Sequence, residues 1–252
     1  MRDAIISNKP CQRNEAPNKI VISLFLLLRC ASAGSQSLSV LPVNIFLQPG
    51  QSATSLTVTN QGTSDTAIQI RSYAWSQKDG EDQIESSDAL AISPPIAKIA
   101  KGASQVVRLI LLHEPQGHEA TYRIWVDQIP PPTEPGIVNI VLRLSIPIFA
   151  EPTTRVAPHV QFHIESDAGQ IYLVGINDGL RHDALRDIEL YTDIGTKLTT
   201  DPGVSPYILA GSRRRWRIAM NGSQLLPNET LRLTTRGESG FIEEHVSFVS
   251  KP

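Results

Sequence analysis

Gly136-Ile-Val-Asn-Ile-Val-Leu-Arg-Leu-Ser-Ile-Pro-Ile-Phe-Ala-Glu-Pro152 is the stretch on which the fold turns. Taking every second residue puts Val138, Ile140, Leu142, Leu144, Ile146 and Ile148 on one face, and Ile137, Asn139, Val141, Arg143, Ser145 and Pro147 on the other. A period of two belongs to a strand, not a helix. Pro130, Pro131, Pro132 and Pro135-Gly136 punctuate its start. Pro147 brings no N–H to a ladder, which suits a sheet edge. A long apolar edge is a template for pairing with another chain. Two readings follow: the apolar row packs at home inside a sandwich, or the strand is offered to a partner.

Outward from this stretch, short apolar or alternating runs recur between turn signals, without helical periodicity. Ser39 to Leu47 reads as a first strand broken by Pro42, then Ser55 to Thr59, Ala67 to Trp75, Leu90 to Ser93, Gln105 to Leu112 and Tyr122 to Ile129. Lys78 to Asp82 reads as an exposed turn. About seven strands over this length is the spacing of an immunoglobulin-like sandwich. Sequential antiparallel pairing lays the strand ending at Ile129 beside the opening one, which stays at the margin. After a linker from Pro152 to Pro158, strand-like runs resume at Val160, Gln170, Ile188, Arg215, Thr230 and Glu244. The expectation is all-β, with an N-terminal domain over 34–152, its edge strand over 136–150, and a smaller β-domain over 153–252.

Lys and Arg number 23 against 25 Asp and Glu, a formal charge of −2, so no global charge points to nucleic acid. Lys19 precedes the apolar run Ile20 to Leu28, followed by Arg29-Cys30-Ala31-Ser32-Ala33. That is the layout of an export signal over 1–33, cleaved after Ala33, and the apolar run is too short for a stable membrane anchor. Cys11 and Cys30 both fall inside it. The exported chain then has no thiol for a disulfide, for catalysis or for a cysteine metal site.

Tyr122-Arg-Ile-Trp-Val-Asp-Gln-Ile-Pro-Pro131 resembles the Y-R-x-x-x-x-E-I-P-P signature of the periplasmic pilus chaperones of the chaperone-usher pathway. Ile92-Ser-Pro-Pro-Ile96 with Gly102 to Leu109 resembles their S/T-P-P … P-G … V-R-hydrophobic segment, and Leu41-Pro-Val with Ser93-Pro-Pro resembles the archaic, spore-coat-like branch. The resemblance implies two immunoglobulin-like β-sandwich domains set at an angle around a cleft. It implies donation of a strand to an incomplete pilin, with Val138, Ile140, Leu142 and Leu144 as the donated side chains. It further implies pilin subunits and an outer-membrane usher as partners, a self-capping dimer for the idle edge, fimbrium biogenesis in the periplasm, no cofactor and no enzymatic activity.

The family holds the pilin's terminal carboxylate with basic residues at positions that here are Asn44 and Pro147. Asn44, Arg71, Arg108 and Arg143 are therefore the candidate carboxylate anchors. Gln128 stands where the family has glutamate and Glu151 where it often has arginine, positions that brace its two domains; Glu151 is expected to meet Arg155 or the basic run of the second domain.

Other features read blandly. His159 and His163 lie on a strand, about 13 Å apart at about 3.3 Å per residue, too far to share a metal. In Arg213-Arg-Arg-Trp-Arg217, alternation turns Trp216 and Arg214 inward and leaves Arg213, Arg215 and Arg217 on a solvated or interdomain face. His113, His118, His182 and His245 read as surface histidines, and no G-x-S-x-G, H-E-x-x-H or phosphate loop is present. The rival functions are an exported pilin or adhesin-like module and a carbohydrate-binding β-protein; no disulfide supports the first and no aromatic platform the second.

Overall fold

Pro42 splits the first strand, and in the computed structural model the two halves serve different sheets. β1 (Leu38–Leu41) pairs antiparallel with β3 (Ala53–Asn60), while β2 (Ile45–Leu47) runs parallel to β10 (Arg143–Ala150). The Leu41–Pro42 and Ser93–Pro94 peptide bonds are cis. The structure describes residues 38–130, 132, 140–201, 205–219 and 229–249. The expected leader over 1–33, with both cysteines, and Val138 lie outside the described residues.

Between these strands come β4 (Thr66–Lys78), β5 (Glu81–Ser86), β6 (Leu90–Ser93), β7 (Ile96–Ile99), β8 (Ser104–Leu111) and β9 (Ala120–Ile129). They form a four-stranded sheet, β1-β3-β8-β6, and a six-stranded sheet, β2-β10-β9-β4-β5, in which β7 also pairs with β4. Alternation decides which residues face inward. In β8, Val107, Leu109 and Leu111 are buried while Val106 and Ile110 are exposed; in β9, Ile124 and Val126 are buried. These side chains meet Val58, Ile68 and Ile148 in one sandwich core.

The expected exposed turn at Lys78 to Asp82 is present, with Lys78, Asp79 and Glu81 exposed, but it is also a docking point. β4 and β5 form a hairpin whose tip, Gly80, is buried. Gly80 has φ +88°, and a Cβ there would already touch Arg215 Cγ at 3.4 Å, so glycine meets both the backbone and the space requirement. The hairpin is docked, which a sequence read one strand at a time could not reveal.

The second half comprises β11 (Val160–Asp167), β12 (Gln170–Asn177), β13 (Asp183–Ala184), β14 (Arg186–Tyr191), β15 (Lys197–Thr200), β16 (Tyr207–Ile208), β17 (Ser212–Ala219), β18 (Leu231–Gly237) and β19 (Gly240–Val246). Seven of them run β11-β12-β17-β15-β14-β18-β19, and β13 pairs with β16. The seven-stranded sheet curls until its ends meet. Ile164 of β11 bridges to Phe248 just past β19, donating its N–H to Ser247 O at 2.9 Å and accepting from Val249 N–H at 3.0 Å. Inside lie Ile164, Leu173, Leu190, Trp216, Leu231 and Leu233, a second core separate from the first.

Candidate functional site

β10 is antiparallel to β9 along its whole length, from Arg143 opposite Asp127 to Ala150 opposite Ala120. On its other side β2 covers only Ile148 to Ala150. Arg143 to Pro147 therefore have no strand on that side among the described residues. The pairing with β9 continues past the strand's start: Gln128 donates its N–H to Leu142 O at 2.9 Å, and Leu142 N–H donates to Gln128 Oε1 at 3.3 Å. Gln128 Nε2 also donates to Thr66 Oγ1 at 3.1 Å, so Gln128 braces the N-terminal domain internally.

The apolar row changes character along this edge. Ile148 and Ile146 are core, Leu144 and Leu142 are half-buried over the end of that core, and Ile140 is 84% exposed. Other edges of these two sheets are managed in the usual ways. β1 and β6 are four residues each, and β5 carries Glu81, Asp82 and Glu85.

The outward side chains of β4, β9 and β10 form a ladder of arginines and aromatics. Asp127 lies between Arg71 and Arg143, 2.5 Å from each. Burial raises its pKa, but hydrogen bonds from the two guanidiniums outweigh that and hold the carboxyl below its ordinary value. One step along, Trp125 packs on Tyr73 at 4.2 Å and carries the Arg143 guanidinium 4.2 Å above its ring.

The next step is Arg123, register partner of Pro147 and Tyr73. Its guanidinium lies 3.7 Å over Trp75 and 5.8 Å from the Tyr207 ring, and among the described residues it makes no ion pair. Burial pulls its pKa below the ordinary arginine value, and it stays charged at any physiological pH. Arg108 sits on the outer face of the other sheet, opposite Ser55 and Ser93. Asn44 Oδ1 accepts a hydrogen bond from the Tyr207 hydroxyl at 3.3 Å. Of the four candidate anchors, Arg71 and Arg143 are thus engaged by Asp127 and Arg108 faces away; Arg123 is the cation that the sequence reading passed over.

Where the two halves meet, Trp75, Phe149 and Leu209 form a buried cluster with Tyr207 packed on it. Polar contacts flank it at both ends. On the β4–β5 side, Gln77 donates to Tyr207 O at 2.9 Å and accepts from Leu209 N–H at 3.0 Å, and Arg214 donates to Gly80 O at 2.9 Å and to Asp82 at 2.5 Å. Arg214 is therefore the buried arginine of this end of the interdomain contact. Arg213, Arg215 and Arg217 face outward toward Asp79, Asp167 and Asp201, so the basic run forms no uncompensated patch.

At the opposite end, Glu119 donates its N–H to Leu180 O at 2.9 Å, and its carboxylate accepts from the His182 N–H at 3.0 Å and faces His182 Nδ1 at 2.6 Å. Arg181 Nε lies 3.4 Å from Glu151, and its Nη2 lies 3.1 Å from Glu238. Glu151 therefore faces Arg181; Arg155 is exposed and forms no ion pair among the described residues. His182, expected at the surface, is fully buried and stacks on Phe149 at 3.6 Å with an interplanar angle of 11°. A histidine in a polar loop gives no sequence signal for this, because the side chains that bury it come from the other domain.

Comparison with known proteins follows the same division. Residues 37–155 match the family described as pili and flagellar-assembly chaperone, PapD N-terminal domain. The chaperone protein FaeE of Escherichia coli is 25% identical over 141 residues, 55% of this chain and 52% of FaeE, so the chain spans about half the length of the curated relative it matches. Among solved structures, a chain of the CsuC–CsuE chaperone–tip adhesion subunit pre-assembly complex from archaic chaperone-usher Csu pili of Acinetobacter baumannii superposes with a TM-score of 0.65. It is 22% identical, over 85% of this chain and all of that one. A chain of the Salmonella enterica SafA pilin–SafB chaperone complex superposes with a TM-score of 0.58 at 15% identity, over 84% of this chain and 97% of that one.

Proposed function

We propose, from the match of residues 37–155 to the pili and flagellar-assembly chaperone, PapD N-terminal domain family, that this chain is a member of that family and binds pilin subunits by lending them the edge of β10. The observation that carries this reading is the apolar row that leaves the core along an edge unpaired among the described residues and reaches an Ile140 that is 84% exposed. An incomplete sandwich that accepts this edge gains main-chain hydrogen bonds, and it gains pockets for alternate side chains.

The donated side chains are Val138, Ile140, Leu142 and Leu144. Full burial of an exposed isoleucine stabilises by roughly 1.5 to 3 kcal/mol. Leu142 and Leu144, already half-buried, contribute less. Selectivity then rests on pocket fit at Ile140 and on an anchor. For the anchor we assign Arg123, whose guanidinium lies one strand in from the open edge and makes no ion pair among the described residues. A chain-terminal carboxylate is the complementary charge, and a charge-assisted contact is about twice as strong as a neutral one. Export with loss of 1–33, delivery to an outer-membrane usher and pairing of two idle edges in a free dimer complete the proposal.

The test is co-expression with a pilin subunit. The expected result is a soluble one-to-one complex that Ile140→Asp abolishes, with the unfolding of the free chaperone unchanged. A pilin that stays soluble without this chain, or capture by the Ile140→Asp variant, overturns the proposal.

A further inference from the structure

His182 is fully buried, with a charged group off each ring nitrogen and each from a different domain. Nδ1 lies 2.6 Å from Glu119 Oε2, ahead of β9, and Nε2 lies 3.3 Å from Glu238 Oε1, at the β18–β19 turn. A neutral imidazole has one N–H and one lone pair, so with two carboxylates facing it one nitrogen must oppose an acceptor with an acceptor. Only the imidazolium presents a proton to both. The ring is also held by charge more than by completed hydrogen bonds, since Glu119 Oε1, Arg181 Nε and His182 Nε2 are buried without a hydrogen-bond partner. When a proton leaves, the Nδ1–H tautomer keeps its bond to Glu119, and what is lost is the positive charge between the two carboxylates.

We propose that His182 is a proton-operated clasp: protonated, its charge holds Glu119 of the N-terminal domain and Glu238 of the C-terminal domain on either side of one ring, and on losing its proton it loosens this end of the domain contact relative to the β4–β5 end.

The surroundings fix the direction. Glu119 and Glu151 face the ring's loop from the N-terminal domain. Arg181 lies on that loop and Asp183 opens β13, while Glu238 comes from the β18–β19 turn, Arg186 from β14, and Tyr207 packs 5.9 Å away. Burial opposes the charged ring, but Glu119 and Glu238 outweigh it, and the ring's pKa is raised above its ordinary 6.5. A raised folded-state value means that the clasp's contribution is complete below the unfolded value and is lost as pH rises through the folded one. Deprotonation leaves the buried carboxylates facing fewer cations across the interface.

The hinge is built into the same loop. Leu180 N–H donates to Ala157 O at 3.1 Å and Asp178 N–H to His159 O at 3.1 Å, which fastens the interdomain linker to the clasp. Gly179 packs so closely on the linker that a Cβ there would lie 2.4 Å from His159 N. Release at the ring therefore acts directly on the linker. The contacts at Gln77 and Arg214 contain no histidine and stay in place as the pivot.

The experiment follows the His182 ring nitrogens by NMR in the full chain from roughly pH 5 to pH 10. Domain orientation is measured in the same samples from residual dipolar couplings. The expected result is a ring that remains protonated past pH 6.5, with the orientation changing over the interval in which it titrates. Glu238→Gln, which removes one of the two carboxylates, shifts both midpoints downward together. A ring that titrates at or below 6.5, or an orientation indifferent to its titration, overturns the proposal. The wild-type measurements decide the matter even if the variant does not fold, and they need no pilin, so failure here leaves the chaperone proposal standing.

Discussion

Arg123 combines two aromatic neighbours with no ion pair among the described residues, though the charge of Asp82 acts on it, while Arg71 and Arg143 divide one carboxylate between them. Cation–π contact holds the guanidinium in place without consuming its charge. Arg123→Ala is expected to weaken pilin binding about 10- to 100-fold, the equivalent of a lost charge-assisted hydrogen bond of roughly 1.5 to 3 kcal/mol. Calorimetric titration with a peptide matching the pilin C-terminus checks it. An amidated peptide should bind the wild type as weakly as the acid form binds the variant. Equal losses for acid and amide on substituting Arg123 would instead point to lost packing on Trp75.

The facing of Arg123 was legible, since alternation from Tyr122 to Asp127 puts it with Trp125 and Asp127 on the outer side. What was not legible is that Tyr207 and Leu209 from far along the chain cap that side beside it. The same gap hid His182 and Arg214, whose burial depends on residues more than 60 positions away. Period and turn chemistry report local geometry; they carry no information on which outer face a second domain will cover.

At the scale of the strand, β10 does two jobs with one row of side chains. The row's facing was readable from its period of two. Arg143 pairs with Asp127, so Leu142, Val141 and Ile140 fall opposite Gln128, Ile129 and Pro130. Pro130 has no N–H to offer a ladder at Ile140, and among the described residues the regular strand begins at Arg143. The two ends should respond oppositely to truncation. Ile146→Ala, within the core, is expected to cost about 2 to 5 kcal/mol of stability. Ile140→Ala, on the bare end, should change stability by less than about 0.5 kcal/mol and act on pilin capture alone. Urea unfolding of both variants, beside a pull-down with pilin, checks the separation; equal destabilisation would mean that the bare end packs at home.

The whole molecule joins an open half to a closed one. The N-terminal sheets end in the long apolar edge of β10, whereas the C-terminal sheet closes through Ile164 and Phe248. Between them lie an apolar cluster, a fixed contact at Arg214 and a titratable one at His182. The paired domains were foreseeable from two runs of strands around a proline-bounded linker. The ion network was not, because Glu151 meets Arg181 through the fold and not through spacing.

The closure at Ile164 sets how many sticky sides the molecule has. With one long apolar side, two copies can satisfy each other and stop, because a two-fold pair uses up the patch on both. Truncation before Ser247 takes away the bridge that covers β11 at Ile164 and opens a second edge there. Two such sides on one particle allow head-to-tail growth with no natural end. Sedimentation velocity should show the intact chain ending at the dimer and the shortened chain running on to longer species as concentration rises. The three residues Ser247, Phe248 and Val249, in the other half from β10, would then separate a molecule whose pairing stops at two from one whose pairing runs on.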